Sequence, residues 1–285
     1  MIYDNRLCQL GEGALWHPER EQFFWVDILG RKLMTQVAGQ PQAWDMGEMC
    51  SAMGWISRDE FLIASETALF RFNIETGARV DLMALEADKP ENRSNDGRAD
   101  PWGGFWIGTM GRRAAADVGF GSFYRLYKGE LRKVFPNVTI PNSCSFTPDG
   151  KTMFFADSAL YKVFRVALDA EGWPVGQPET FLDFSASQAE PDGAVVDQDG
   201  LFWVALWADA RVAAFAHDGA QVHNIPIPAS QCTCPAFGGA DGKTLFVTSA
   251  REWMSYEGLA QYPQSGATFA FPGVAMGQKE HRVIL

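Results

Sequence analysis

A short run of aromatic and aliphatic residues recurs six times along this chain of 285 residues, and the recurrence limits the fold more than any single motif does. The runs are Phe23-Phe24-Trp25-Val26, Phe61-Leu62-Ile63-Ala64, Phe105-Trp106-Ile107-Gly108, Met153-Phe154-Phe155-Ala156, Leu201-Phe202-Trp203-Val204 and Leu245-Phe246-Val247-Thr248. Counted from Phe24, Leu62, Trp106, Phe154, Phe202 and Phe246, the successive spacings are 38, 44, 48, 48 and 44 residues. That is the length of one four-stranded propeller blade. Consecutive apolar positions mark a strand buried on both faces, so each run reads as an inner strand sandwiched between neighbouring blades. Pro148-Asp149-Gly150-Lys151, Asp197-Gln198-Asp199-Gly200 and Ala240-Asp241-Gly242-Lys243 are hairpin signals in which Gly supplies a positive φ. Lys162 to Val166 and Arg211 to Phe215 alternate as half-buried strands do. The expected fold is all-β, a six-bladed β-propeller forming a single domain over residues 1–285. A β-sandwich or jelly roll would share the short strands but not the regular repeat. Ring closure is expected to pair the stretch from Tyr3 to Leu10 with carboxy-terminal strands ending at Arg282-Val283-Ile284-Leu285.

Composition narrows the partners. Hydrophobic residues make up 47% of the chain, with 21 Phe and 10 Trp, enough for a substantial core. A net charge of −11 opposes binding to a phosphate backbone, so no nucleic acid is expected. No apolar run is long enough to span a membrane, and Met1 to Arg6 lacks a signal peptide's apolar centre, which points to the cytoplasm. The five cysteines are odd in number and scattered, and Cys232-Thr233-Cys234 has no second pair at zinc-finger spacing, so free thiols are expected. His17, His217, His223 and His281 show no paired metal spacing and read as surface or turn residues. A nucleophile elbow and a Gly-rich phosphate loop are both missing. A small-molecule substrate is the remaining class.

Equivalent positions ahead of each run should converge at one end of the central channel. Glu12 lies 12 residues before Phe24, Asn95 lies 11 before Trp106, Asn142 lies 12 before Phe154 and Asp192 lies 10 before Phe202. Turn formation alone would explain Asn95-Asp96-Gly97 or Asp192-Gly193 singly, but does not require one depth in four blades. Carboxylates and carboxamides around one axis form an oxygen-rich site for one divalent cation: Ca²⁺, Mg²⁺ or Mn²⁺, with Zn²⁺ also open.

Gly11-Glu12-Gly13-Ala14-Leu15-Trp16, Asn92-Arg93-Ser94-Asn95-Asp96-Gly97, Trp106-Ile107-Gly108-Thr109-Met110, Ile140-Pro141-Asn142, Ser145 to Gly150 and Pro191-Asp192-Gly193 follow one another at blade spacing. Together they resemble the regucalcin (senescence marker protein) and gluconolactonase family of metal-dependent propellers. The resemblance covers essentially the whole chain. It implies that Glu12, Asn142 and Asp192 ligate the metal and that Arg93 and Asn95 hold the substrate, a sugar lactone, or its bridging water. Ala14 and Ser143 replace the usual Pro and Gly neighbours. After Thr109-Met110, where relatives favouring neutral sugars often carry an acid, this chain has Gly111-Arg112-Arg113. Arg112 or Arg113 is therefore expected to help Arg93 receive an anionic substituent, the alternative being a solvated basic turn. The implied chemistry is lactone hydrolysis, with Asp192 as general base and Arg93 and Asn95 steadying the oxyanion. Two rivals stay open: a cation-binding regulator or scaffold without turnover, and a metal-dependent esterase acting on other esters. Trp102, Trp106, Trp203 and Trp207 read mainly as packing residues, with Trp207 the best placed to meet a sugar.

Overall fold

The computed structural model describes residues 1–285 and folds the repeat into six four-stranded antiparallel sheets arranged as one six-bladed ring. Five blades are continuous in sequence, over residues 11–45, 50–84, 92–138, 141–183 and 190–226. The sixth takes strands Gln231–Gly238, Thr244–Ala250 and Thr268–Phe271, and Ile2–Asp4 completes it as the outermost strand. Closure thus joins Ile2 to Phe269 and Asp4 to Thr268. The sequence expectation for the extreme carboxy terminus is corrected here, because residues 282–285 form no strand.

The aromatic runs occupy the second strand of each blade, one place further out than the sequence reading put them. The innermost strands are the segments just before them, Gly11–His17, Cys50–Trp55, Asn92–Ala99, Pro141–Phe146, Glu190–Val196 and Gln231–Gly238. These six pack on one another around the axis. Crowding explains the difference. Side chains near the axis must be small, and a Cβ added at Gly193 would come within 2.9 Å of Cys234 and of the Thr233 carbonyl. The second strand faces neighbouring blades on both sides and accepts large rings. Phe23 stacks on Phe246 with centroids 4.5 Å apart, Phe24 meets Phe61 at 4.8 Å and Phe154 meets Phe202 at 4.9 Å, so the aromatic runs of adjacent blades touch. Each such fully buried ring contributes roughly 2–3 kcal/mol.

All five cysteines are buried and unpaired, as expected. His17 departs from expectation: it is wholly buried between blades one and two, beside Trp55 and Phe61. Its Nδ1 accepts from the Glu19 and Arg20 amides and its Nε2 lies 3.0 Å from the Ser57 carbonyl, which fixes a neutral ring with the proton on Nε2.

The carboxy-terminal segment crosses the far ends of the innermost strands as a strap. Gln278 donates to the carbonyls of Phe146 and Val196, the Val283 amide to Trp55, and the Ile284 amide to Gly103, so the strap touches four blades. Its ionic anchor is Arg98 with Glu280, 2.8 Å apart and largely buried. Removing one member of a buried pair leaves the other uncompensated, at a cost of about 3 kcal/mol. Glu280→Ala should therefore lower unfolding stability by about 3 kcal/mol in denaturant titration; a loss under about 0.5 kcal/mol, the size of an ordinary surface substitution, would show that the strap does not brace the ring.

Candidate metal and substrate site

Every innermost strand carries a register shift at the same height: between Glu12 and Leu15, Cys50 and Ala52, Ser94 and Gly97, Asn142 and Ser145, Pro191 and Ala194, and Cys232 and Pro235. A bulge re-aims side chains and bends the strand. Here six of them form a collar at one mouth of the channel, opposite the strap. Glu12 and Asn142 hold strictly equivalent positions, each followed by a residue with positive φ, Gly13 at 58° and Ser143 at 62°. Asp192 and Asn95 lie within the bulges of their own strands.

Local anchoring sets each side chain. Asp27 closes the second strand of blade one and accepts the amides of Gln9 and Leu10, both at 3.0 Å, fixing the chain just before Glu12. Asp157 does the same in blade four, taking the Thr139 and Ile140 amides at 2.8 and 3.0 Å just before Asn142. Asp192 is held from the neighbouring blade: Ser143 Oγ donates to its carbonyl, and Ser158 Oγ to the carbonyl of Pro191. Ser143 thus supplies a hydroxyl that a glycine would lack, at a conformation glycine would prefer.

A polar chain then links blades three and four. Arg93 Nη1 donates to Asn95 Oδ1 at 2.8 Å, Asn95 Nδ2 to Asn142 Oδ1 at 2.9 Å, and Asn142 Nδ2 to Ser158 Oγ at 2.8 Å. Asn95 Nδ2 also reaches the Pro141 carbonyl, so both its N–H donors go to protein groups. Arg93 bonds only through Nη1, to Asn95 and to the Ser94 carbonyl, leaving Nε and Nη2 for another partner.

Glu12, Arg93, Asn95, Asn142 and Asp192 line one cavity open at this mouth of the channel. Arg113 does not join them. Its guanidinium is held by Asp117, four residues on in the same turn, with its side chain 72% exposed. Arg112 is turned outward to Glu66 and the Pro90 carbonyl. The turn satisfies its own charges, so neither arginine reaches Arg93, contrary to the sequence expectation. Trp207 does line the cavity, whereas Trp106 and Trp203 are buried with their indole N–H groups on Asp100 and Asp197. Missed by sequence reasoning were Glu190, Ser158, Glu252 and Trp253. Glu190 adjoins Pro191-Asp192-Gly193 and was legible by adjacency. Glu252 and Trp253 were not, since they lie in a turn after a blade-six strand and reach the mouth because Arg251 and Glu252 donate their amides to the Gln9 carbonyl.

Burial pushes the Glu12 carboxyl up to about 8, with the Asp96 carboxylate adding to it. Burial, then Glu12 and Asp96, drives Asp192 well above the usual carboxylate range. Burial lowers Arg93 against the opposing pull of Glu252 and Glu12. The donor set fits a divalent cation: two buried carboxylates and a carboxamide oxygen, short of positive charge, all of them hard ligands. No three His, Cys, Asp or Glu side chains are grouped closely enough to hold a metal ion by themselves, so the third donor of this set is the Asn142 carboxamide.

Residues 10–251 match the model of the SMP-30/gluconolactonase/LRE-like region. The chain belongs to this family. It is 34% identical over 266 residues to the L-arabinolactonase of Azospirillum brasilense, covering 91% of this chain and 87% of that one. It is 31% identical over 265 residues to the 6-deoxy-6-sulfogluconolactonase of Pseudomonas putida, covering 92% and 90%. Among solved structures, a calcium-binding protein, regucalcin, from Agrobacterium tumefaciens superposes with a TM-score of 0.96 at 39% identity, covering 100% of this chain and 97% of that one. Membership of the SMP-30/gluconolactonase family accords with the six-bladed fold and with the motifs that place the collar residues.

The two replacements at Ser143 are separable. Ser143→Gly loses the hydroxyl but relaxes the positive φ, whereas Ser143→Ala loses the hydroxyl and keeps the strained backbone. Ser143→Ala should be the less stable variant by about 1 kcal/mol in urea unfolding; equal stabilities would mean the backbone at Ser143 is unstrained.

Proposed function

We propose that this protein hydrolyses a sugar lactone to the open-chain hydroxy acid, at a site holding one divalent cation between Glu12, Asn142 and Asp192. The observation that carries the proposal is that oxygen donors from three separate blades line one cavity beside a guanidinium with free donors. The all-oxygen donor set favours Ca²⁺, Mg²⁺ or Mn²⁺ over Zn²⁺, and the relative described as calcium-binding supports the first. The relatives named as lactonases support the reaction class.

A cation bound there supplies Lewis acidity toward the lactone carbonyl and lowers the pKa of an adjacent water. The protein's own groups supply the rest. Asp192 takes a proton from water as the water oxygen bonds to the carbonyl carbon. That proton passes to the ring oxygen as the ring C–O bond breaks, so the products are a carboxylic acid and a free hydroxyl. Arg93 donates through Nε and Nη2 to substrate oxygens and steadies the oxyanion. Asn95 bears on substrate through its neighbours, holding Arg93 on one side and Asn142 on the other. The hydrogen bonds to Asp27, Asp157, Ser143 and Ser158 keep these groups in place without rearrangement during the reaction.

The test is exhaustive chelation followed by acid release from a lactone panel and an aryl ester, with Ca²⁺, Mg²⁺, Mn²⁺ and Zn²⁺ added back singly. Lactone turnover should vanish and return with cation. Glu12→Gln and Asp192→Asn should each lower kcat/KM by about 100-fold or more while circular dichroism remains that of a folded β protein. Full activity of both variants after chelation would refute the mechanism, and turnover of the aryl ester alone would refute the substrate.

A further inference from the structure

The floor of the cavity is built from strands, but part of its rim is a turn that no motif announces. Four carboxylates, Glu12, Glu190, Asp192 and Glu252, line the cavity against one guanidinium, Arg93. With a divalent cation bound by ionised Glu12 and Asp192, Glu190 and Glu252 would still outnumber Arg93. The two arginines of the turn after Gly111 are paired elsewhere, Arg112 with Glu66 and Arg113 with Asp117. The charges that act on Arg93 are those of Glu252, Glu12, Arg112 and Asp192, three acids against one base. An anionic substituent entering this mouth therefore meets unbalanced negative charge.

The same turn presents an aromatic. Trp253 is 69% exposed and sits at φ 58°, a conformation that a bulky residue adopts only at some cost. Its ring lies 6.2 Å from that of Trp207, with 69° between the planes, so the two indoles form an open corner at the mouth. Such a corner offers apolar faces to the C–H side of a sugar ring while Arg93 meets its oxygens.

Building on the lactonase reading, we infer that Glu252 and Trp253 are specificity residues, Glu252 repelling lactones that carry a second acidic group and Trp253, with Trp207, seating the uncharged ring. The turn is fixed by the bonds of the Arg251 and Glu252 amides to Gln9, three residues before Glu12, so the specificity wall and the collar move as one piece.

The experiment compares kcat/KM for an uncharged aldonolactone and for the same lactone bearing a 6-carboxylate, in wild type, Glu252→Gln and Trp253→Gly. Wild type should prefer the uncharged lactone. Glu252→Gln should raise the charged-to-uncharged ratio by about tenfold or more, as loss of one unscreened like charge requires. Trp253→Gly, which suits the positive φ and so preserves the turn, should raise KM for the uncharged lactone with kcat nearly kept. Quenching of tryptophan fluorescence by 1,5-anhydroglucitol, a ring with no carbonyl to hydrolyse, should be present in wild type and lost in Trp253→Gly. An unaltered ratio in Glu252→Gln, or unaltered KM and quenching in Trp253→Gly, overturns this inference while leaving the lactonase reading standing. No turnover of any lactone by cation-loaded wild type overturns both.

Discussion

The burial of two carboxylates, Glu12 and Asp192, in one cavity whose only basic lining residue is Arg93 is the constraint around which the site is arranged. Two carboxylates in such a place are unfavourable unless protonated or matched by positive charge. The scaffold nevertheless holds them there. Asp27 and Asp157 fix the chain ahead of Glu12 and Asn142, and two serine hydroxyls of blade four pin the backbone at Pro191 and Asp192. At the other end of the channel the strap and its Arg98–Glu280 pair hold the same inner strands from below. The strain of assembling like charges is thus distributed over a closed ring with no free sheet edge near the site. That is the electrostatic setting a hard divalent cation relieves.

Much of this was legible in the sequence. The six aromatic runs specified a propeller because contacts between runs of adjacent blades, such as Phe24 with Phe61 and Phe154 with Phe202, must recur at blade spacing. Counting back from them located Glu12, Asn95, Asn142 and Asp192, all of which line one cavity, and the family motif added Arg93. Less visible was which strand is innermost. A twofold-buried run looks the same at either position, and only the crowding of six strands at the axis assigns the small polar segment to the inside. The bulges that bring Asp192 and Glu12 to one height were hidden too, since a register shift leaves no mark in composition.

What failed to show was governed by tertiary contacts. Arg113 looked available because its partner, Asp117, is a turn neighbour whose side chain could as well have faced solvent. His17 lies on a strand end that looked exposed, and is covered by blade two. The carboxy-terminal segment read as a strand because it ends in Val283-Ile284-Leu285, yet the edge it would have joined is taken by Ile2–Asp4. Glu252 and Trp253 belong to the rim, where turns rather than strands decide the lining. In the proposed reading the floor fixes the chemistry and the rim differentiates substrates.

The central claim is that side chains from blades one, four and five enclose one cation. Its most direct measurement is anomalous scattering from crystals of chelated protein soaked in Mn²⁺, collected for wild type and for Asp192→Asn. The account requires one strong peak per chain in wild type, among the side-chain oxygens of Glu12, Asn142 and Asp192, and its loss or marked weakening in the variant. No peak at that position, or an undiminished one in Asp192→Asn, would contradict it.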